Sequence, residues 1–304
     1  MSSLDILKSL YKPYRYTINN GVTIVESTSG KYVIKKQKKD LYSLFSYLEN
    51  RNFLNFPKII HNFREEENVF EYIEEDFIPD EQRLLDLADV LSDLHNKTYY
   101  YKNITIDTYK EIRENLLSNI KYLKNHFHHL FLLFLKEEFL SPSKYLFMRN
   151  YYKINECLNF CENETESWFE LVKNSDKERV SVVNNNIKLE HFRENTSKEV
   201  LLSWDNYLID TPILDFVNLY KKEYLKYEFE SFLTKYLNNF NLLESEKKLL
   251  FILINIPNYF TFDIDDEFMQ TKEIRKNIDY IYKSEKLTRP YYFKKETKQS
   301  ENFD

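Results

Sequence analysis

Glycine occurs only twice in this chain of 304 residues, at Gly21 and Gly30, and that scarcity limits what it can fold into. Loops that cradle phosphates on backbone amides need several glycines, because a residue without Cβ lets the backbone approach the ligand closely. Dinucleotide-binding and Walker-type loops are therefore excluded. Asn19-Asn20-Gly21 and Thr28-Ser29-Gly30 are expected as turns between strands.

Hydrophobic residues make up 42% of the chain and aromatic residues 17%, so a core rich in Phe, Tyr, Leu and Ile is expected. The 43 basic and 49 acidic residues give a net charge of −6, which argues against a nucleic-acid partner, since that needs a basic face. Leu130–Leu135 is the longest wholly apolar run, far too short to span a bilayer, and no membrane partner is expected. Met1–Leu10 lacks the basic start and apolar core of a secretion signal. A cytoplasmic location is expected.

Three side-chain groupings invite chemistry and are read more simply. Cys157 and Cys161 lie one helical turn apart and are expected as two thiols on one helix face, because no further cysteine completes a metal site. His126, His128 and His129 point in different directions on a helix, which suits surface or core positions. Ser203, Asp205 and His191 suggest a hydrolase triad, but the G-x-S-x-G elbow is missing.

Hydrophobic periodicity gives the elements. Tyr14–Ile18, Val22–Glu26 and Lys31–Lys36 read as a three-stranded meander, Asp40–Asn50 as a helix, and 56–60 and 68–73 as further strands. Glu74–Pro79 is a connector. Helices are predicted over 84–95, 109–124, 130–138, 145–163, 166–174, 214–238, 244–253 and 266–283, interrupted by short strands at 180–183 and 200–204.

Val182-Val183 leads into Asn184-Asn185-Asn186-Ile187-Lys188-Leu189-Glu190-His191. Ser203-Trp204 is followed by Pro212 and Asp215, nine and twelve residues after Ser203. The helix over 84–95 ends Leu-Ser-Asp-Leu-His. These segments resemble the H-G-D-x-x-x-x-N loop, the I-D-W and D-P-x-x-D-L motifs and the LxxLH helix of the aminoglycoside phosphotransferase and choline kinase branch of the protein kinase-like superfamily. Within it, the chain is most similar to kinase-like proteins of bacterial spore coats, over roughly residues 14–220. The resemblance implies an α+β, protein kinase-like bilobal fold. Residues 1–75 would form a small antiparallel β lobe and 76–294 a larger, mainly helical lobe, with 295–304 a disordered polar tail.

By that resemblance, Asn186 stands at the catalytic Asp, Asn185 at the Gly and His191 at the metal-binding Asn. Ser203 stands at the principal magnesium ligand, and Asp215 is expected as a cap or backbone clamp. Tyr32-Val33-Ile34-Lys35 resembles the strand whose Lys pairs nucleotide phosphates, with Asp40 or Glu49 as its acidic partner. ATP is the implied cofactor. The chemistry is degraded: Asn186 cannot accept a proton, Ser203 brings no charge to a dication, and His191 is a poor magnesium ligand. Asp205, two residues from Ser203, is the one carboxylate placed to rescue a metal site. Three readings stay open. The first is a pseudokinase that acts by binding a nucleotide, small molecule or protein partner. The others are an active small-molecule phosphotransferase relying on Asp205, and a structural spore component.

Overall fold

A computed structural model describes residues 12–19, 22–36, 38–63 and 67–300. A small antiparallel sheet comes first. Its strands are β1 (Pro13–Asn19), β2 (Val22–Ser27), β3 (Gly30–Lys36), β4 (Ile59–Phe63) and β5 (Glu67–Glu71), in the order β1-β2-β3-β5-β4. Between β3 and β4 lies helix α1 (Leu41–Asn50). The meander, the helix and the strand expected over 68–73 form close to where periodicity places them, whereas the strand expected over 56–60 begins only at Ile59, after Pro57, which cannot donate to a ladder. Of the two expected turns, Asn20 and Gly21 lie outside the described residues. Gly30 opens β3 at φ +135°, a conformation L side chains rarely adopt.

The larger, mainly helical part holds α2 (Asp80–Thr98), α3 (Ile106–Phe134), α4 (Pro142–Val172), α5 (Ile213–Glu223), α6 (Glu230–Asn239), α7 (Glu244–Asn255) and α8 (Glu267–Ser300). Short strands punctuate it: β6 (Tyr100–Asn103), β7 (Lys177–Val183), β8 (Phe192–Asn195), β9 (Lys198–Leu201) and β10 (Leu208–Asp210). β8 and β9 form a hairpin, and β10 runs antiparallel to β7.

Several predicted boundaries are corrected, each for a packing reason. The helices expected over 109–124 and 130–138 are one helix. Ile120, Leu123, Phe127 and Phe134 are all buried on one face of α3, and neither Gly nor Pro interrupts it. The same holds for α4, where Ile154, Cys161, Thr165, Trp168 and Val172 bridge the expected break. The single helix expected over 214–238 is instead two. Tyr220 and Phe229 are nine residues apart, on opposite faces of any continuous helix, yet their rings pack at 5.3 Å. The chain must turn between them. α8 runs on to Ser300, past the start of the expected tail at 295, and 301–304 lie outside the described residues.

The chain separates into two compact units. One combines residues up to Tyr100 with Val180–Leu219 and Ser231–Phe240; the other combines Tyr101–Arg179, Tyr220–Glu230 and the residues from Asn241 onward. The lobe boundary expected near residue 75 falls inside the first unit. In the second, α3, α4, α7 and α8 surround a core that includes Phe127, Phe147, Leu158, Trp168 and Ile274. Cys157 and Cys161 are buried there, Cys157 donating to the carbonyl of Asn255 at 3.0 Å, and burial pushes the Cys161 thiol up. His126 contacts the Phe260 carbonyl at 2.8 Å and His128 the Tyr151 hydroxyl at 3.0 Å. A buried pair, Arg179 with Glu246, ties β7 to the first turn of α7.

Candidate functional site

The loop after β7 is held by one carboxylate. Asp215, wholly buried in the first turn of α5, accepts from the backbone N–H of Asn185 at 2.7 Å and of Asn184 at 3.0 Å. It also meets His95 Nε2 at 3.3 Å, while His95 Nδ1 lies 2.8 Å from the Tyr236 hydroxyl. One ring nitrogen of His95 thus faces the carboxylate and the other the tyrosine hydroxyl. The backbone clamp expected of Asp215 is what the geometry gives. His95, at the end of the LxxLH-like helix, is its buried support.

Glycine's place in this loop is taken by asparagine. Asn185 has φ 58°, the left-handed region, which Asn tolerates better than most residues. Its side chain donates to the Asn206 carbonyl at 3.3 Å and accepts from Asn218 at 2.8 Å. Asn184 closes the turn, accepting from Asn186 N–H at 3.1 Å and donating to the Leu202 carbonyl at 3.1 Å. Asn52 does similar duty at the end of α1, at φ 59°.

The second segment is set by Ser203. At φ 61° and ψ 47° it is left-handed, a conformation that costs a non-glycine residue on the order of 1 kcal/mol. The kink delivers Trp204 into the core against Phe45 and Phe53, with ring centroids 6.1 and 6.3 Å away, and lets its indole N–H donate to the Leu201 carbonyl at 2.6 Å. It also turns Asp205, 7% exposed, back toward β3, where it forms an ion pair with Lys35. Lys39 follows, donating to the Tyr207 carbonyl at 2.7 Å.

Lys35 therefore finds its acidic partner at neither position expected on α1. Asp40 is the N-cap of that helix: it accepts from the N–H of Ser43 at 3.1 Å and from its hydroxyl, and those bonds hold its carboxyl below the usual range. Asp40 is near Lys35 in sequence, but a carboxylate 170 residues away reaches the lysine instead. The two candidate metal residues have separate engagements. Asp205 holds Lys35, while His191 Nδ1 donates to the Asn186 carbonyl at 2.8 Å. Asn186 carries no charge, and no group of three or more His, Cys, Asp or Glu side chains suited to a metal occurs among the described residues. One carboxylate, one amide and one imidazole already bonded elsewhere do not fit a hard dication.

Strand register places further residues beside Lys35. Lys35 lies directly opposite Asn68, and Val33 lies opposite Ile24 on one side and Phe70 on the other, so these residues share a face of the sheet. Ile24 and Val33 are half-buried. Asn68 is buried and its side-chain oxygen has no partner. The connector, by contrast, is clasped by the β8–β9 hairpin. Asp76 N–H donates to the Glu194 carbonyl at 3.0 Å, Asn195 to the Glu74 carbonyl at 3.0 Å, and Thr196 N–H to the Asp76 carboxylate at 2.7 Å. A cavity of about 900 Å³ in this unit lies elsewhere, lined by Tyr42, Glu49, Phe56, Lys58 and Lys198, and includes neither Lys35 nor Asp205.

No family model matches the sequence, and a search of curated proteins finds no match. Solved structures do match. An aminoglycoside phosphotransferase from Alicyclobacillus acidocaldarius superposes with a TM-score of 0.66 at 11% identity, over 94% of this chain and 93% of that one. An AMP-bound spectinomycin phosphotransferase, APH(9)-Ia, gives 0.50 at 11% identity, over 95% and 92%. A choline kinase from Streptococcus pneumoniae gives 0.47 at 13% identity, over 94% and 97%. The chain has the kinase-like fold of these phosphotransferases, as its motifs suggested.

Proposed function

We propose that this chain is a kinase-like protein that binds a nucleotide and does not transfer its phosphate. The observation that carries the reading is the Lys35–Asp205 ion pair, which occupies the one carboxylate placed to hold a dication; by motif resemblance the transfer-base position falls to the neutral amide of Asn186. A phosphoryl-transfer site needs a base or positioning group for the attacking hydroxyl and a dication to neutralise developing charge. Asn186 can position a hydroxyl but cannot take its proton, and Asp215 is committed to three donors. The face formed by Ile24, Val33 and Phe70 supports an adenine by stacking, with Lys35 beyond it for phosphate. The AMP held by the spectinomycin phosphotransferase of the same fold supports a nucleotide as the ligand.

A second reading, an active small-molecule phosphotransferase, is favoured by the same Asp205, since it stands beside the phosphate-pairing lysine. Calorimetry with ATP and adenosine, with and without magnesium, separates the two. On the first reading ATP binds weakly, magnesium changes its affinity little, and Asp205→Asn binds ATP at least as well by freeing Lys35. A hundredfold gain with magnesium, or turnover abolished by Asp205→Ala, establishes the second.

A further inference from the structure

In the second unit, several large apolar side chains are exposed on segments that meet at one end. Leu135 lies at the close of α3, Phe139 in the turn before α4, Ile264 in the loop before α8, and Phe268 and Met269 in the first turn of α8. Phe139 is 84% exposed, Phe268 76% and Leu135 63%. These segments are fixed side by side. Ser143 N–H donates to Glu267 Oε1 at 2.7 Å, Lys144 pairs with Glu137 at 2.6 Å, and Phe134 packs on Phe262 with centroids 4.7 Å apart. Single exposed apolar residues are ordinary on a protein surface, whereas a gathered patch with a polar rim marks an interaction site.

The rim decides the partner. Glu138, Asp263, Asp265 and Asp266 are exposed around the patch, and the Ser143 N–H lowers the pKa of Glu267. Against them stand Lys136 and Lys272, with Lys144 already engaged by Glu137. A second copy docking face to face would bring this acidic rim against itself, and an anionic lipid surface would be repelled by it. An apolar centre with an acidic border is complementary to an amphipathic helix whose flanks are basic.

We infer that this end of the helical unit is a docking surface for a basic amphipathic helical segment of another protein. The inference does not depend on whether a nucleotide binds. The test uses the full chain and a synthetic leucine–lysine amphipathic helix, titrated by calorimetry at low and moderate salt. Three results are expected. The wild type binds; Phe139→Ser with Phe268→Ser weakens binding about tenfold or more; and Glu138→Lys with Asp265→Lys does the same. A serine-for-leucine peptide of equal charge fails to bind. All substituted side chains are exposed, so unchanged melting temperatures confirm that the variants fold. Equal binding by wild type and the Phe139→Ser, Phe268→Ser variant reduces the effect to net charge and overturns the proposal, as does absence of binding. A dimer in sedimentation that the same variant abolishes, or preferential binding to vesicles of anionic phospholipid, also overturns it by naming a different occupant.

Discussion

Asp215 and Asp205 are separated by a single short strand, yet they occupy opposite kinds of site. Asp215 has no exposed surface and every neighbour it needs: two backbone N–H groups and a histidine that is itself supported by Tyr236. Asp205 pairs, among the described residues, with Lys35, whose side chain is 30% exposed. The first is a closed network in which each member is satisfied by the others. The second is an open pair in which either member can be taken over by a ligand.

The sharpest way to break that comparison is Asp215→Ala. It leaves two buried N–H groups and His95 without an acceptor, and about 3–5 kcal/mol of stability should be lost in urea unfolding. A loss below about 1 kcal/mol would show that the loop holds itself. Next comes Asn185→Ala, which removes two side-chain hydrogen bonds and puts alanine at φ 58°. About 2 kcal/mol is expected, with Asn185→Gly recovering the backbone part, roughly 1 kcal/mol.

The open pair should respond to ligands more than to denaturant. Lys35→Ala should weaken ATP up to about fivefold, about 1 kcal/mol, and leave adenosine unchanged, while altering stability by ~1 kcal/mol or less. Adenosine weakened equally would mean that Lys35 holds the sheet face rather than phosphate. The smallest effect concerns the β8–β9 hairpin. Burial, then Asp86 and Asp89, raise the pKa of Glu199. A raised acid binds its proton more tightly in the folded state, so its stabilising contribution is present below the ordinary glutamate range and lost as pH rises through the folded value. Glu199→Gln should therefore raise the melting temperature near about pH 7.5, by less than about 1 kcal/mol equivalent, with the gain vanishing toward about pH 4. A gain independent of pH would point to packing instead.

Much of this was legible in the residues. The meander and α1 carry strong period-two and period-3.6 patterns, and Pro212 and Asp215 sit at offsets that identify the clamp. The Lys35–Asp205 pair was not legible, because its geometry depends on the left-handed turn at Ser203, and serine gives no sign of positive φ. Nor was the turn between α5 and α6, where Tyr-Leu-Lys-Tyr-Glu-Phe contains no helix breaker and the packing of Phe229 on Tyr220 makes the decision. Asn68 reads as one polar residue in a strand; only the register opposite Lys35 gives it a place in the site.

The discontinuity of the first unit has a consequence for how the protein is made. Its sheet and α2 are complete by Tyr100, but Val180–Leu219 and Ser231–Phe240 belong to the same unit. Trp204, which packs on Phe45 and Phe53, and Tyr236, which supports His95, are translated long after their partners. At ribosomal rates of about 5–20 residues per second, the interval between residues 100 and 240 is roughly 7–28 s. For that time Phe45, Phe53 and His95 wait without these partners, and slowing elongation between those positions is expected to lower the soluble yield.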